Sequence, residues 1–318
     1  MGLMTGSGPL GKQPAGSFNF APPPPGQALY LEPTPKRIRV EVGGETIADS
    51  RRAMLLQESG QQPIYYFPPE DVRSDLLEPS DRHTHCPKKG DASYYTIRAG
   101  GEVVEAGAWY YPEPLPDAPP QLKDLVAFYF NRMGRWREEG EEIGVHPRDP
   151  YHRIDVLSTD RLIRVSLAGE VLAETTRALG LFESNLPPRW YIPEEDVLAP
   201  LEPSDTVTHC PYKGTASYYS VRLGNGDPGQ DLIWFYEEPL LEVGRIKGLL
   251  CFFNEKVDLE LDGELQARPA SPLEPGREVR RPERAAGADA RLARRARSRP
   301  PGRAANPPGA QSAPGTCG

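Results

Sequence analysis

The chain predicts a mainly β protein, two tandem compact antiparallel β-domains, each closed by one helix. Three observations carry this. LEPSDRHTHCPKKGDASYYTIR, beginning at Leu77, returns as LEPSDTVTHCPYKGTASYYSVR from Leu201, so the chain is an internal duplication. Apolar and polar residues alternate in short runs, the period of half-buried strands. Paired glycines and prolines separate those runs at hairpin spacing.

Residues 1–35 are rich in Gly and Pro, with a run at Pro22–Pro25, and form an extended arm for which Phe18, Phe20, Leu29 and Tyr30 are the candidate anchors. The first repeat occupies 36–143. Ile38, Val40 and Val42 alternate with Arg39 and Glu41. Gly43-Gly44 turns the chain into a returning strand at Glu45–Asp49. Another strand is expected at Ile64–Phe67, stopped by Pro68-Pro69. Gly90 marks a turn into Ala92–Arg98, which pairs across Gly100-Gly101 with Val103–Tyr111. Leu122, Leu125, Val126, Tyr129, Phe130 and Met133 recur at helical spacing, and the closing helix is expected over Leu122–Trp136.

Residues 144–160, with His-Pro and Asp-Pro pairs, form an ordered connector. The second repeat, 161–261, echoes the first at an offset of 123 to 125: Trp234 and Tyr236 match Trp109 and Tyr111, and Phe253-Asn254 matches Phe130-Asn131. From 262 to 318 an Ala/Arg/Pro/Gly tract has the composition of a disordered tail.

With 318 residues there is room for two ordinary domains. The formal net charge is −8, and the basic tail makes the folded body more acidic still. Such a body repels phosphate and anionic lipid, so nucleic acid and membrane are not expected partners. Cys86, Cys210, Cys251 and Cys317 form no disulfide framework, and no segment approaches roughly 18 uninterrupted apolar residues. A cytoplasmic protein without a cofactor, whose partner is an unidentified small molecule, is the expectation.

The recurring residues supply the candidate sites. His83, His85 and Cys86 could ligate a metal, but the second copy keeps only His209 and Cys210, with Val207 where His83 stands, so no metal is expected. A Cys–His nucleophile is disfavoured, because strand neighbours point to opposite faces. A structural role, cysteine buried and histidine hydrogen-bonded, is the competing view. Lys89 and Lys213 open a turn, either as solvated lysines or as anion ligands above the turn amides. Tyr94 and Tyr95 point to opposite faces, as do Tyr218 and Tyr219, so one of each pair is core and the other lines a cleft. Trp109 and Trp234 lie on the partner strand, as core or as the wall of an aromatic pocket. Arg52 with Glu58, and Arg177 with Glu183, recur six apart, as ion pairs or as guanidiniums aimed at an anion. Gly224–Gly229 matches G-x-G-x-x-G, but strand signals on both sides make it a hairpin loop.

On these residues the chain resembles the family known as domain of unknown function 427, in its tandem form. The motifs that carry the resemblance are Gly44–Ser50, Leu77–Asp81, His85-Cys86-Pro87 with Lys89-Gly90, and Ser93-Tyr94-Tyr95. His146–His152 fits the stretch between tandem domains, and the resemblance spans roughly residues 5–265. It implies a compact β-domain similar to the β-tent folds, although the paired CxxC motifs of those folds are absent. The family also carries a nucleotidyltransferase-like label. The Gly-Ser loop and carboxylate pair of that chemistry are missing, so the resemblance implies the fold rather than the activity. Two functions follow: a non-catalytic binder of a small anionic or planar ligand, or an enzyme with one active repeat using His85, Cys86 or Lys89. A purely structural interaction module is the third.

Overall fold

A computed structural model describes residues 2–224 and 228–269. The first unit contains β1 (Leu29–Pro33), β2 (Ile38–Val42), β3 (Glu45–Ser50), β4 (Met54–Glu58), β5 (Ile64–Phe67), β6 (Leu77–Cys86), β7 (Gly90–Ala99), β8 (Glu102–Tyr110), β9 (Val126–Phe128), β10 (Arg135–Glu138) and β11 (Glu141–Ile143). The second contains β12 (Ile154–Ser158), β13 (Ile163–Leu167), β14 (Glu170–Thr175), β15 (Leu179–Glu183), β16 (Arg189–Ile192), β17 (Leu201–Cys210), β18 (Gly214–Arg222), β19 (Pro228–Phe235), β20 (Leu250–Phe252), β21 (Asp258–Leu261) and β22 (Glu264–Leu265).

Each unit has a seven-stranded and a four-stranded sheet, and the two units have the same topology. The large sheets run β1-β4-β5-β9-β8-β7-β6 and β12-β15-β16-β20-β19-β18-β17, and the small ones β11-β10-β2-β3 and β22-β21-β13-β14. Alternation explains the layering. In β2, Ile38, Val40 and Val42 are buried against Tyr65, Phe67, Phe128 and Trp136 between the sheets. The other face of the large sheet is also apolar, with Leu56, Tyr66, Cys86, Tyr94 and Trp109 packed beneath Ala118, Leu122 and Leu125. The large sheet is thus a central layer with both faces covered.

The expected helix does not form. Leu122 lies in a 3₁₀ turn (Pro120–Asp124), Val126–Phe128 is the central strand β9, and Arg135–Glu138 is β10. The apolar residues of this stretch face two cores, not one. Val126, Phe128, Met133 and Trp136 point between the sheets, whereas Leu122, Leu125, Ala127 and Tyr129 join the outer cluster. A helix buries one stripe, and a short central strand buries both faces. Among the described residues every helical element is a short 3₁₀ turn.

Strand register also revises one match between repeats. Ala127 lies between Tyr66 and Trp109, and Cys251 lies between Tyr191 and Trp234, so Phe253 is the counterpart of Tyr129 and Asn254 that of Phe130. Of the four expected anchors of the arm, Leu29 and Tyr30 hold it, as part of β1 paired with β4, whereas Phe18 and Phe20 do not. Phe18 and Phe20 are 38% and 62% exposed, while Met4 is buried and accepts a hydrogen bond from the Gly60 amide. Gly2 donates to Asp149 and accepts from Asn185, which ties the arm to the second half of the chain. The loop over residues 225–227, inside the G-x-G-x-x-G match, and residues 270–318 lie outside the described residues; of the tail expected from 262, Glu264–Leu265 form β22, paired with β21. The flanking strands β18 and β19 pair antiparallel, with Arg222 opposite Pro228.

The tips of two hairpins meet at Gly43 and Gly100, both with a φ of +56°. A Cβ on Gly100 would stand 1.9 Å from the Gly43 carbonyl oxygen, whereas one on the neighbouring Gly101 (φ +80°) would meet nothing within 4 Å. Gly101→Ala is therefore expected to cost only the left-handed backbone penalty, about 1 kcal/mol, and Gly100→Ala at least about 2 kcal/mol more, from the clash. Chemical denaturation of the two variants checks this, and equal midpoints would refute the contact.

Candidate functional site

One row of side chains crosses the outer face of each large sheet. Register sets Met54, Tyr66, Ala127, Trp109 and Tyr94 side by side, and likewise Leu179, Tyr191, Cys251, Trp234 and Tyr218. Tyr66 and Trp109 meet edge to face at 6.2 Å and 85°, and the indole Nε1 donates to the phenol at 3.3 Å. Tyr191 and Trp234 repeat this at 6.5 Å and 89°, with a 3.1 Å hydrogen bond. Burial pushes the Tyr66 and Tyr191 hydroxyls above the ordinary tyrosine range.

Beside this row lies a buried charge cluster. The ammonium of Lys89, whose exposure is 0%, pairs with Glu58, and Lys88 reaches the other carboxylate oxygen at 2.9 Å. In the second unit Lys213 pairs with Glu183, and the second partner comes from the connector: His152 Nε2 lies 2.9 Å from Glu183. Tyr212 occupies the place of Lys88 and packs on the His152 ring at 3.9 Å. Its hydroxyl accepts the Asp149 amide at 2.7 Å. Burial by itself would raise both carboxyls. In Glu58 the charge and hydrogen bonds of Lys89 and Lys88 outweigh it, and in Glu183 the bonds and charges of His152 and Lys213 bring the carboxyl down to about 2.

Of the residues singled out in the sequence, Cys86, Lys89, Tyr94 and Trp109 come together on this face. Their counterparts Cys210, Lys213, Tyr218 and Trp234 do likewise, with Cys210 half-buried. Tyr95 and Tyr219 point the other way and stack on Tyr110 and Phe235 at 5.0 and 4.7 Å. His85 is turned to the surface, where it meets Asp91 at 2.7 Å, and His209 meets Thr215 at 2.9 Å. Arg52 and Arg177 stand apart from the cluster. They do not pair with Glu58 and Glu183, as their spacing suggested, but with Asp71 and Asp196, each at 2.6 Å. The lysines are not solvated turn residues, because each closes onto the buried glutamate that the spacing had assigned to arginine. Among the described residues no group of three or more His, Cys, Asp or Glu is placed to hold a metal.

Only the rim of the row reaches solvent. Tyr129 packs on Trp109 at 4.6 Å, and Thr84 bonds the Tyr94 hydroxyl at 2.7 Å. A bulge in β6 between Ser80 and His83 holds Arg82, whose guanidinium lies 4.8 Å from the Tyr94 ring centroid. Arg132 lies 5.4 Å from the Tyr129 ring and donates to the Glu105 and Ala106 carbonyls. Burial and the bond with Tyr94 push the Tyr129 hydroxyl up to about 12, and both arginines oppose that rise. In the second unit Phe253 and Lys256 replace Tyr129 and Arg132, with the ammonium 4.8 Å from the ring, and Thr206 stands where Arg82 does. Sequence inspection passed over Arg82, Arg132 and Tyr129. It also passed over Tyr66 and its counterpart Tyr191, whose match in both repeats was the available signal.

Removing Glu183 leaves the buried Lys213 ammonium without a counter-charge and the buried His152 imidazole without its hydrogen-bond partner, so Glu183→Gln is expected to cost about 3–5 kcal/mol near neutral pH. A depressed carboxyl stabilises fully above its unfolded value near 4.5 and loses that contribution as pH falls through about 2. Wild-type stability should therefore decline across this window with an increment that Glu183→Gln lacks. Urea midpoints followed by tryptophan fluorescence measure it, and parallel pH profiles would contradict the pairing.

A search of the curated proteins found no match to the chain. A family model, the domain of unknown function (DUF427), matches residues 30–139 and again 155–263. The two matches cover more than half of the chain and coincide with the two equivalent β-units, so this protein belongs to the DUF427 family as a tandem member.

Proposed function

We propose that this protein is a non-catalytic binder of a small planar anion, seated on the aromatic rim of the first unit. One observation carries the reading: Arg82 and Arg132 lie over the Tyr94 and Tyr129 rings, and neither guanidinium has a carboxylate partner among the described residues. Most described arginines, including Arg37, Arg52, Arg98 and Arg164, are ion-paired; among those that are not, Arg82 and Arg132 are the two that share one aromatic rim, so both can meet one external anion. Tyr129 offers a ring for stacking, and the half-buried Thr84 hydroxyl, braced by the buried Tyr94, offers a hydrogen bond. Trp109 backs this platform, while Lys89 and Glu58 hold it rigid from beneath. The second unit, which lacks an equivalent of Arg82, would bind more weakly through Tyr218 and Lys256.

The enzymatic alternative through His85, Cys86 or Lys89 draws less support. Cys86 and Lys89 are buried and His85 faces the opposite side, an arrangement that does not favour their acting together on one substrate.

Thermal shift and calorimetry against nucleotides, aromatic carboxylates and, as non-planar controls, sulfate and citrate test the proposal. A planar anion should raise the Tm. Arg82→Ala should weaken its binding at least about tenfold while changing stability by no more than about 0.5 kcal/mol. No shift with any planar anion, or unchanged affinity in Arg82→Ala, would overturn the reading.

A further inference from the structure

The shared topology makes each unit a control for the other, and they differ most at one place. Where the second unit's two sheets meet, a cavity of about 430 Å³ opens beside Leu157, Phe182, Trp190, Asn254, Leu259 and Leu261. Register identifies the first-unit counterparts. Leu55 pairs with Tyr65 as Gly180 pairs with Trp190, and Trp136 pairs with Val40 as Leu259 pairs with Val165. In the first unit this place is filled. Phe130 and Trp136 stack at 4.9 Å and 13°, Tyr65 packs on Trp136 at 6.3 Å, and the Tyr65 hydroxyl donates to Glu138 at 2.7 Å.

Three exchanges empty it in the second unit: Phe130 becomes Asn254, Trp136 becomes Leu259, and Leu55 becomes Gly180. The rings of Phe182 and Trp190 lean over Gly180, where a Cβ would stand 2.9 and 3.0 Å from them. The mouth has changed as well. Glu32 and Gln57, joined at 2.8 Å, correspond to Leu157 and Phe182, which are 54% and 40% exposed. Loss of rings from the floor accompanies gain of apolar side chains at the entrance.

We propose that this cavity binds an uncharged planar molecule of one or two fused rings, held against Phe182 and Trp190 over a floor of Leu259 and Leu261. Its volume falls within the range of about 300–1,000 Å³ usual for small-molecule sites. The first unit shows that aromatic rings fit this position of the fold. Charge is not called for. Arg161, at the cavity wall, is paired with Asp262 at 2.7 Å, and the Asn254 amide donates to the Pro188 carbonyl at 2.9 Å. Pro269 lines the cavity's edge, and the sequence after it contains no aromatic residue that could supply a ring.

Saturation-transfer NMR with indole on the full chain tests this, with naphthalene as a second probe. Saturable binding is expected. It should weaken at least about tenfold in Asn254→Phe/Leu259→Trp, which restores the first unit's rings. It should also weaken in Leu157→Glu/Phe182→Gln, which restores its polar mouth at exposed positions. Should the filled variant lose its fold by circular dichroism, the mouth variant decides. Absence of saturable binding by either probe, or undiminished binding by a folded variant, would overturn the proposal. So would binding that arises only after residues 270–318 are removed, which would assign the cavity to the chain's own tail.

Discussion

A buried carboxylate closed by a lysine and a second nitrogen donor organises both halves of this molecule. Glu58 closes β4, whereas Lys88 and Lys89 stand in the turn between β6 and β7, on the opposite flank of the large sheet's order. A buried charge is tolerable only when its lone pairs are taken up, so this contact demands that the sheet bring its two flanks together over the Tyr66–Trp109 pair. Gly90, at a φ of +103°, turns the chain sharply after Lys89, and Gly214 does the same after Lys213 at +100°. The recurring Cys-Pro-x-Lys-Gly stretch is therefore best understood as the means of delivering an ammonium to an internal glutamate.

The second unit solves the same electrostatic problem with different parts. The place of Lys88 as second partner is taken by His152, which lies outside the repeated strands, and Tyr212 covers the imidazole. The connector thereby becomes part of the second core. The arm joins the same region through Gly2 and Asp149. Duplication followed by such exchange explains why equal topologies have unequal surfaces. Arg82 enriches the rim of the first unit, and Gly180, Asn254 and Leu259 hollow the second.

The legible part of the fold followed from local periodicity. Strands at Ile38–Val42, Ile64–Phe67 and Gly90–Ala99 stand where alternation and glycine turns placed them. The closing helix failed because Val126–Phe128 is apolar on both faces, and helical spacing cannot distinguish one buried stripe from two buried faces. Of the site, Cys86, Lys89, Tyr94 and Trp109 were legible through recurrence. Glu58 was visible but given the wrong partner: a spacing of six favoured Arg52, which turns to Asp71 through the 3₁₀ turn after β5. Arg82 escaped notice because nothing repeats it.

Duplication, β-class and hairpin positions were determined by the sequence alone, because they depend on side-chain period and turn residues within a few positions of one another. Which cation meets which carboxylate, which tyrosine is interior, and where rings are missing were decided only by the tertiary structure. Those outcomes depend on strands thirty or more residues apart lying side by side, as Glu58 and Lys89 do, and on the cost of leaving a buried charge alone.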